Sequence, residues 1–157
     1  MMGKRIPLSK GKYATVDQAD YEWLSQWKWS YLSKGYAVRM DYTVTPPKLI
    51  YMHRLIMDAP KGVEVDHINH KKRDNRRANL RLATRSENAR NQKKQKHTSS
   101  RFKGVYWREH ANNWQCCIYI RRKQTHLGYF KREDEAASAY DTAARLHYGE
   151  FAKTNFH

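Results

Sequence analysis

Apolar and polar positions alternate in short runs at the start of the chain. RIPL (5–8), KYATV (12–16), WKWSY (27–31) and YAVRM (36–40) each read as a short strand. DQADYEWLSQ (17–26) predicts a short helix with Asp17 as its N-cap. Trp27, Trp29 and Tyr31 alternate with polar residues as in a half-buried strand, so these rings and Trp23 are expected in a core rather than on a base-stacking platform. After the break at Thr45-Pro46-Pro47, KLIYMHRLIM (48–57) reads as a strand entering a short helix. VEVDH (63–67) is a strand, HKKRDNRRA (70–78) a charged loop, and NLRLAT (79–84) a second strand with Leu80 and Leu82 on one face. Thr84-Arg85-Ser86-Glu87 matches a capping box, so a helix should begin near Arg85 and carry Asn88.

Downstream, FKGVYW (102–107) and WQCCIYI (114–120) flank REHANN (108–113), a polar segment suited to a hairpin loop. Trp114, Cys116, Ile118 and Ile120 should share one strand face, and Gln115, Cys117 and Tyr119 the other. THLGYF (125–130) predicts a third strand, and EDEAASAYDTAARLHY (133–148) a helix with acid in its first turn, where the helix dipole favours it. Ala136, Tyr140, Ala143, Ala144 and His147 lie along one side of that helix; Phe130, Tyr140 and Leu146 are expected in the core. The class is α+β. The expected divisions are 1–92, a basic linker at 93–99, and 100–157.

Charge narrows the function. The 157 residues carry 31 Lys+Arg against 15 Asp+Glu, a net +16. Such a surplus calls for a polyanion, and nucleic acid is the leading partner. An anionic membrane would want an amphipathic basic helix with a Leu/Phe/Trp face, which is absent, and no apolar run is long enough to span a bilayer. Half the surplus lies in residues 61–97, with 12 basic and 4 acidic residues. The opening MMGKRIPLSKG has no apolar stretch of a secretory signal, so a cytoplasmic, nucleoid-associated protein is expected. The only cysteines, Cys116 and Cys117, are adjacent and would face opposite ways on a strand, which argues against a disulfide and against a zinc framework.

The same middle block holds the candidate chemistry. Asp66 and His67 are adjacent, and Asn79 and Asn88 follow. Hydrolysis of a phosphodiester needs a group to deprotonate water and a group to stabilise the leaving oxygen. A neutral imidazole suits the first task. A hard divalent cation held by the Asp66 carboxylate and the Asn88 carbonyl suits the second, which favours Mg²⁺ or Mn²⁺ over Zn²⁺. Asn79 would hold the loop so that the imidazole points correctly. A zinc site of His53, His67, His70 and His97 fits no usual spacing. Arg76, Arg77 and Arg85, with Arg73, Arg81 and Arg90, form a basic cluster suited to phosphates, and His70 is a loop residue or a further phosphate contact. Lys93, Lys94 and Lys96 are expected to touch backbone nonspecifically.

The stretch HRLIMDAPKGVEVDHINHKKRDNRRANLRLATRSENARNQ (53–92) resembles the HNH nuclease family, in the branch found in phage and intron-borne homing endonucleases. The resemblance implies a ββα fold gripping one divalent metal. His67 would be the general base, Asp66 and Asn88 the metal ligands, and Asn79 the residue that orients the histidine and its loop. The third motif letter is often His in that family, and here it is Asn88. Residues 6–39 also look like the usual N-terminal extension. FKGVYW, WQCCIYI, HLGYF and EDEAASAYDTAARLHYGEFAKTNF are similar to the plant Apetala/ethylene-response-factor DNA-binding domain. That resemblance implies a three-stranded antiparallel sheet in the major groove, braced by one helix. Lys103, Tyr106, Arg108, Tyr119, Gln124 and His126 would face DNA, with Arg121 on phosphate. Tyr106, Tyr119 and His126 depart from the Arg- and Trp-rich plant pattern.

The expected protein is therefore a site-recognising, homing-type DNA endonuclease acting on double-stranded DNA. It would work as a monomer, with Mg²⁺ or Mn²⁺ and no small-molecule cofactor. The rivals are a noncatalytic DNA-binding regulator with an inactive HNH scaffold, and an RNA-binding module drawing on the eleven tyrosines.

Overall fold

The computed structural model describes residues 3–94 and 98–156; Lys96 and His97, named above, lie outside them. The chain forms two compact units, residues 1–88 and 89–157, each taken by itself below. Helices and several small antiparallel sheets make both units α+β.

In the first unit, β1 (Lys4–Pro7) and β2 (Tyr13–Val16) pair as a hairpin and α1 (Gln18–Ser25) follows. A second sheet has the order β3 (Ser30–Tyr31), β4 (Ala37–Asp41), β5 (Lys48–Tyr51), and β5 runs directly into α2 (Met52–Ile56). β6 (Glu64–His67) pairs antiparallel with β7 (Leu80–Ala83), placing Asp66 opposite Arg81 and His67 opposite Leu80. α3 (Arg85–Asn91) then begins on the expected capping box. The Thr84 hydroxyl accepts the Glu87 N–H at 3.2 Å, and Glu87 Oε2 accepts the Thr84 N–H at 2.8 Å. Ile6, Val16, Leu24, Trp29, Met52 and Ile56 are buried together in one core.

One expectation fails here for a definable reason. The strand expected over 27–31 is cut to Ser30–Tyr31, because Trp29 turns inward and its indole N–H donates to the Leu24 carbonyl at 2.8 Å. Trp23, Trp27 and Tyr31 do pack on the core as expected. Asp17 sits at the N-cap of α1 but its carboxylate caps nothing there; it accepts the Arg77 backbone N–H at 2.7 Å, tying the helix start to a distant loop. Leu82 shares a strand face with buried Leu80 yet is 44% exposed.

In the second unit, β8 (Val105–Arg108), β9 (Asn113–Ile120) and β10 (Lys123–Phe130) form an antiparallel sheet with β9 central. α4 (Glu133–Tyr148) packs on one face. Its small residues Ala136, Ala137 and Ala144 are fully buried, so the helix lies close to Cys116 and Ile118. Tyr140 also packs there, and Gly104, at φ +78°, leaves room for its ring. The buried stripe of α4 continues through Asp141 and Tyr148 rather than Leu146 and His147. Leu146 is 78% exposed, and His147 is exposed as well. Asp141 is buried because it accepts the backbone N–H groups of Asn155 and Phe156, pinning the C-terminal tail. Both cysteines are free. No helix among the described residues is long and apolar enough to cross a membrane.

Candidate active site

Strand β6 ends on Asp66 and His67. Asp66 and His67 are successive, so their side chains leave opposite faces of the β6–β7 hairpin. The loop that follows, residues 68–79, is held by its own amides. Asn79 accepts the Asn69 N–H at 3.0 Å and donates to the Asp74 carbonyl at 2.7 Å, closing the loop across its base. The Asn69 side chain donates to Asp74 at 2.8 Å. The loop is also stitched to β2, where Thr15 N–H donates to Arg73 and Asn75 N–H donates to Thr15, both at 2.7 Å. Asn79 thus fixes the loop without touching the imidazole through any of these bonds.

The imidazole itself is held by a residue that sequence reasoning passed over. His67 Nε2 lies 2.9 Å from Asn75 Oδ1, and Asn75 is fully buried. The Asn75 amide nitrogen points the other way, donating to Met52 Sδ at 3.3 Å. With the Asn75 carbonyl oxygen as its neighbour, Nε2 is placed to donate, the tautomer in which Nδ1 is the basic nitrogen. Only its position inside the charged run KKRDNRR (71–77) sets Asn75 apart in the sequence.

His67 sits in an aromatic nest. Its ring centroid is 5.0 Å from that of His53 and 6.1 Å from that of Tyr36, and Tyr36 lies 5.1 Å from His53. Burial pushes the His67 pKa down, against upward pulls from the Asn75 hydrogen bond and the Asp66 charge, and so favours neutral imidazole. His53 is lowered to about 3 by burial, with the neighbouring His67 adding to it. Its Nδ1 is buried without a hydrogen-bond partner.

Asp66 is buried, and its Oδ2 accepts from Arg81 Nε at 2.9 Å and Nη2 at 2.7 Å. Glu64, two residues earlier on the same strand face, accepts a short hydrogen bond from the Asn88 side-chain amide. Asn88 must therefore turn its carbonyl oxygen away from Glu64. Among the described residues no group of three or more His, Cys, Asp or Glu side chains is placed to hold a metal ion. The donors present are hard oxygens, one from Asp66 and one from the Asn88 carbonyl. Mg²⁺ binds through one or two protein oxygens, completed by water and substrate phosphate, and Asp66 and Asn88 are the residues that would have to supply them.

The chain is 34% identical over 148 residues to the uncharacterized HNH endonuclease L560 of Acanthamoeba polyphaga mimivirus, covering 93% of this chain and 76% of that protein. It belongs to the HNH endonuclease family. The family profile described as HNH endonuclease matches residues 51–90, which run from the end of β5 into α3. Protein 3.8 of Escherichia phage T7 is 33% identical over 94 residues, or 60% of this chain and 77% of that protein. The AP2/ERF and B3 domain-containing transcription repressor TEM1 of Arabidopsis thaliana is 41% identical over 71 residues, or 45% of this chain but only 19% of the plant protein.

The arginines of the HNH unit divide by what holds them. Arg76 is locked to Asp74 by two bonds of 2.7 Å, and Arg77 to buried Asp20 at 2.8 and 2.9 Å. Each is matched by a carboxylate, so structural work takes part of what was expected to face phosphate. Arg85 is exposed at the start of α3.

In the second unit, the pairing register gathers most of the expected contacts on the sheet face away from α4. Gln115 lies between Tyr106 and Tyr129, opposite each, Tyr119 lies opposite Gln124, and Cys117 opposite His126. Arg108 joins this face and donates to Gln115. Tyr129, 56% exposed and 4.6 Å from His126 between ring centroids, belongs to the face although it was not singled out. Arg121 lies in the β9–β10 turn at φ +49°. Lys103 is elsewhere. Its ammonium donates to the carbonyls of Arg90 and Gln92 at 2.6 and 2.8 Å, and burial lowers its pKa to about 8.

Proposed function

We propose that this HNH protein is a homing-type DNA endonuclease that hydrolyses phosphodiester bonds with one Mg²⁺ or Mn²⁺ ion. The observation that carries the reading is the buried hydrogen bond from His67 to Asn75. It holds the direction of a buried imidazole next along the chain from Asp66. His67 Nδ1 takes the proton from the attacking water. Asn75 holds the opposite nitrogen, and Asn79 holds the loop that carries Asn75. Asp66 and Asn88 supply the oxygens for the divalent ion, which when bound offers Lewis-acid stabilisation of charge on the phosphate and leaving oxygen. Arg81 keeps the Asp66 carboxylate oriented. The second unit is the DNA reader, its tyrosine-rich sheet face laid against duplex bases while the nuclease unit acts on backbone nearby. The tether raises the local concentration of one unit at the other's site.

Cleavage of end-labelled duplex across a Mn²⁺ titration tests the metal assignment. Asp66→Ala should abolish cutting, and Asn88→Ala should raise the Mn²⁺ requirement about 10- to 100-fold. Cutting that is indifferent to both substitutions would reject these ligands. Salt-sensitive binding with no cutting by the unaltered chain would favour a noncatalytic regulator.

A further inference from the structure

An open groove of about 710 Å³ in the first unit is lined by Arg5 and Tyr13 of the β1–β2 hairpin, by Gly35, and by the loop from His70 to Asp74. It borders the candidate active site, because the same loop leaves β6 at His67 and returns through Asn75. Five cations line it: Arg76, which is paired with Asp74 of the same lining, and four others, Arg5, Lys71, Lys72 and Arg73, all exposed. Among the described residues no carboxylate forms an ion pair with any of these four, in contrast to Arg76 and Arg77. Lys72, Arg73 and Arg5 are held by neutral groups instead. Lys72 lies over the Tyr36 ring at 4.6 Å and donates to the Lys34 carbonyl at 3.0 Å. Arg73 donates to the Tyr13 carbonyl at 3.3 Å, and Arg5 sits 6.0 Å from the Tyr13 ring centroid. Cations positioned without neutralisation keep their charge for a partner. The loop beneath them is stitched to β2 by the two Thr15 bonds, so the charges have a defined backbone to stand on.

We propose that this groove binds the phosphate backbone of duplex DNA alongside the bond that His67 attacks. The inference rests on the endonuclease reading above and adds where the nuclease unit grips its substrate. An extended polyanion fits better than a single nucleotide. The groove is open and its cations are spread over two separate elements, as successive backbone phosphates require. These contacts would act on any sequence, positioning the backbone while bases are read elsewhere.

The test is fluorescence anisotropy of a duplex with the full-length His67→Ala chain in EDTA, so that cutting cannot interfere. Affinity is followed from about 50 to 300 mM KCl, where each phosphate contact contributes about 0.9 to the slope of log K against log salt. Arg5→Ala/Lys71→Ala/Arg73→Ala should flatten the slope by about 2 to 3, equally on specific and random duplexes. Arg5→Lys/Arg73→Lys should keep the slope, which separates lost charge from lost fold. Lys48→Ala/Lys61→Ala, which removes two charges outside the groove, should leave it unchanged. An unchanged slope in the triple variant, or an equal flattening in the Lys48/Lys61 control, overturns the groove. So does a larger loss on single-stranded RNA than on duplex. Absence of any salt-dependent duplex binding by the starting chain would instead overturn the endonuclease reading itself.

Discussion

Asn75→Ala isolates the residue on which the proposed chemistry turns. The substitution removes the acceptor of the 2.9 Å bond from His67 Nε2 and the donor to Met52 Sδ, at a position with no solvent exposure. Leaving the His67 N–H unsatisfied in a buried site costs about 1–3 kcal/mol, and the lost amide leaves a small cavity besides. Stability should fall by about 2–4 kcal/mol. The effect on rate is separate. Losing a partner that orients a reacting histidine costs about 10- to 100-fold, whereas losing the general base itself costs about 10²- to 10⁴-fold. Single-turnover cleavage at saturating DNA, below the variant's unfolding temperature, should show kcat reduced by the first range. The double variant His67→Ala/Asn75→Ala should be no slower than His67→Ala alone, because Asn75 acts only through His67. A folded Asn75→Ala that cuts at the unaltered rate would refute the reasoning, as would a double variant whose losses multiply.

Three further outcomes follow from the packing. His53 has a folded-state pKa of about 3, well below the ordinary value of 6.5, so the unfolded chain binds the extra proton. Its contribution is fully present above about pH 6.5 and is lost as pH falls towards 3, at up to about 1.4 kcal/mol per unit. His53→Phe should therefore show a shallower loss of urea stability between pH 7 and pH 5 than the unaltered chain; parallel curves would count against the burial of this group. Gly104→Ala forces a Cβ against the Tyr140 ring and the Cys117 carbonyl at φ +78°. It should cost the second unit about 2–5 kcal/mol, read as an early thermal transition with loss of duplex binding. Asp20→Ala leaves the Arg77 guanidinium without its buried partner, 57 residues away in sequence. A loss of about 1–3 kcal/mol is expected by urea unfolding, and an unchanged midpoint would show that pair to be unimportant.

Local patterning made much of the fold readable. The Thr84–Glu87 box started α3 where its spacing predicted, and α4 covers 133–148 as its alanine periodicity required. What misled was tertiary. Trp27 and Trp29 alternate like a strand, yet a single indole bond to the Leu24 carbonyl turns the segment inward. Leu146 is apolar but lies off the stripe, while charged Asp141 is buried because the C-terminal tail supplies its donors. At the candidate site, Asp66, His67, Asn79 and Asn88 could be named from spacing, and all four fall on β6, the loop end and α3. The Asn75 contact, the His53–Tyr36 nest and the carboxylate partners of Arg76 and Arg77 could not. Each depends on a loop folding back on an element far away in sequence, and no local period encodes that closure.

The central claim is metal-dependent DNA hydrolysis with His67 as the base. Supercoiled plasmid incubated with the full chain and Mg²⁺ or Mn²⁺ measures it directly, beside EDTA controls and His67→Ala. The account predicts open-circular or linear product that EDTA abolishes and that His67→Ala loses by at least about 100-fold, with duplex affinity retained. Equal cutting by His67→Ala would contradict the assignment of the base. No cutting with either metal, on plasmid or on a native-site duplex, would contradict the nuclease itself.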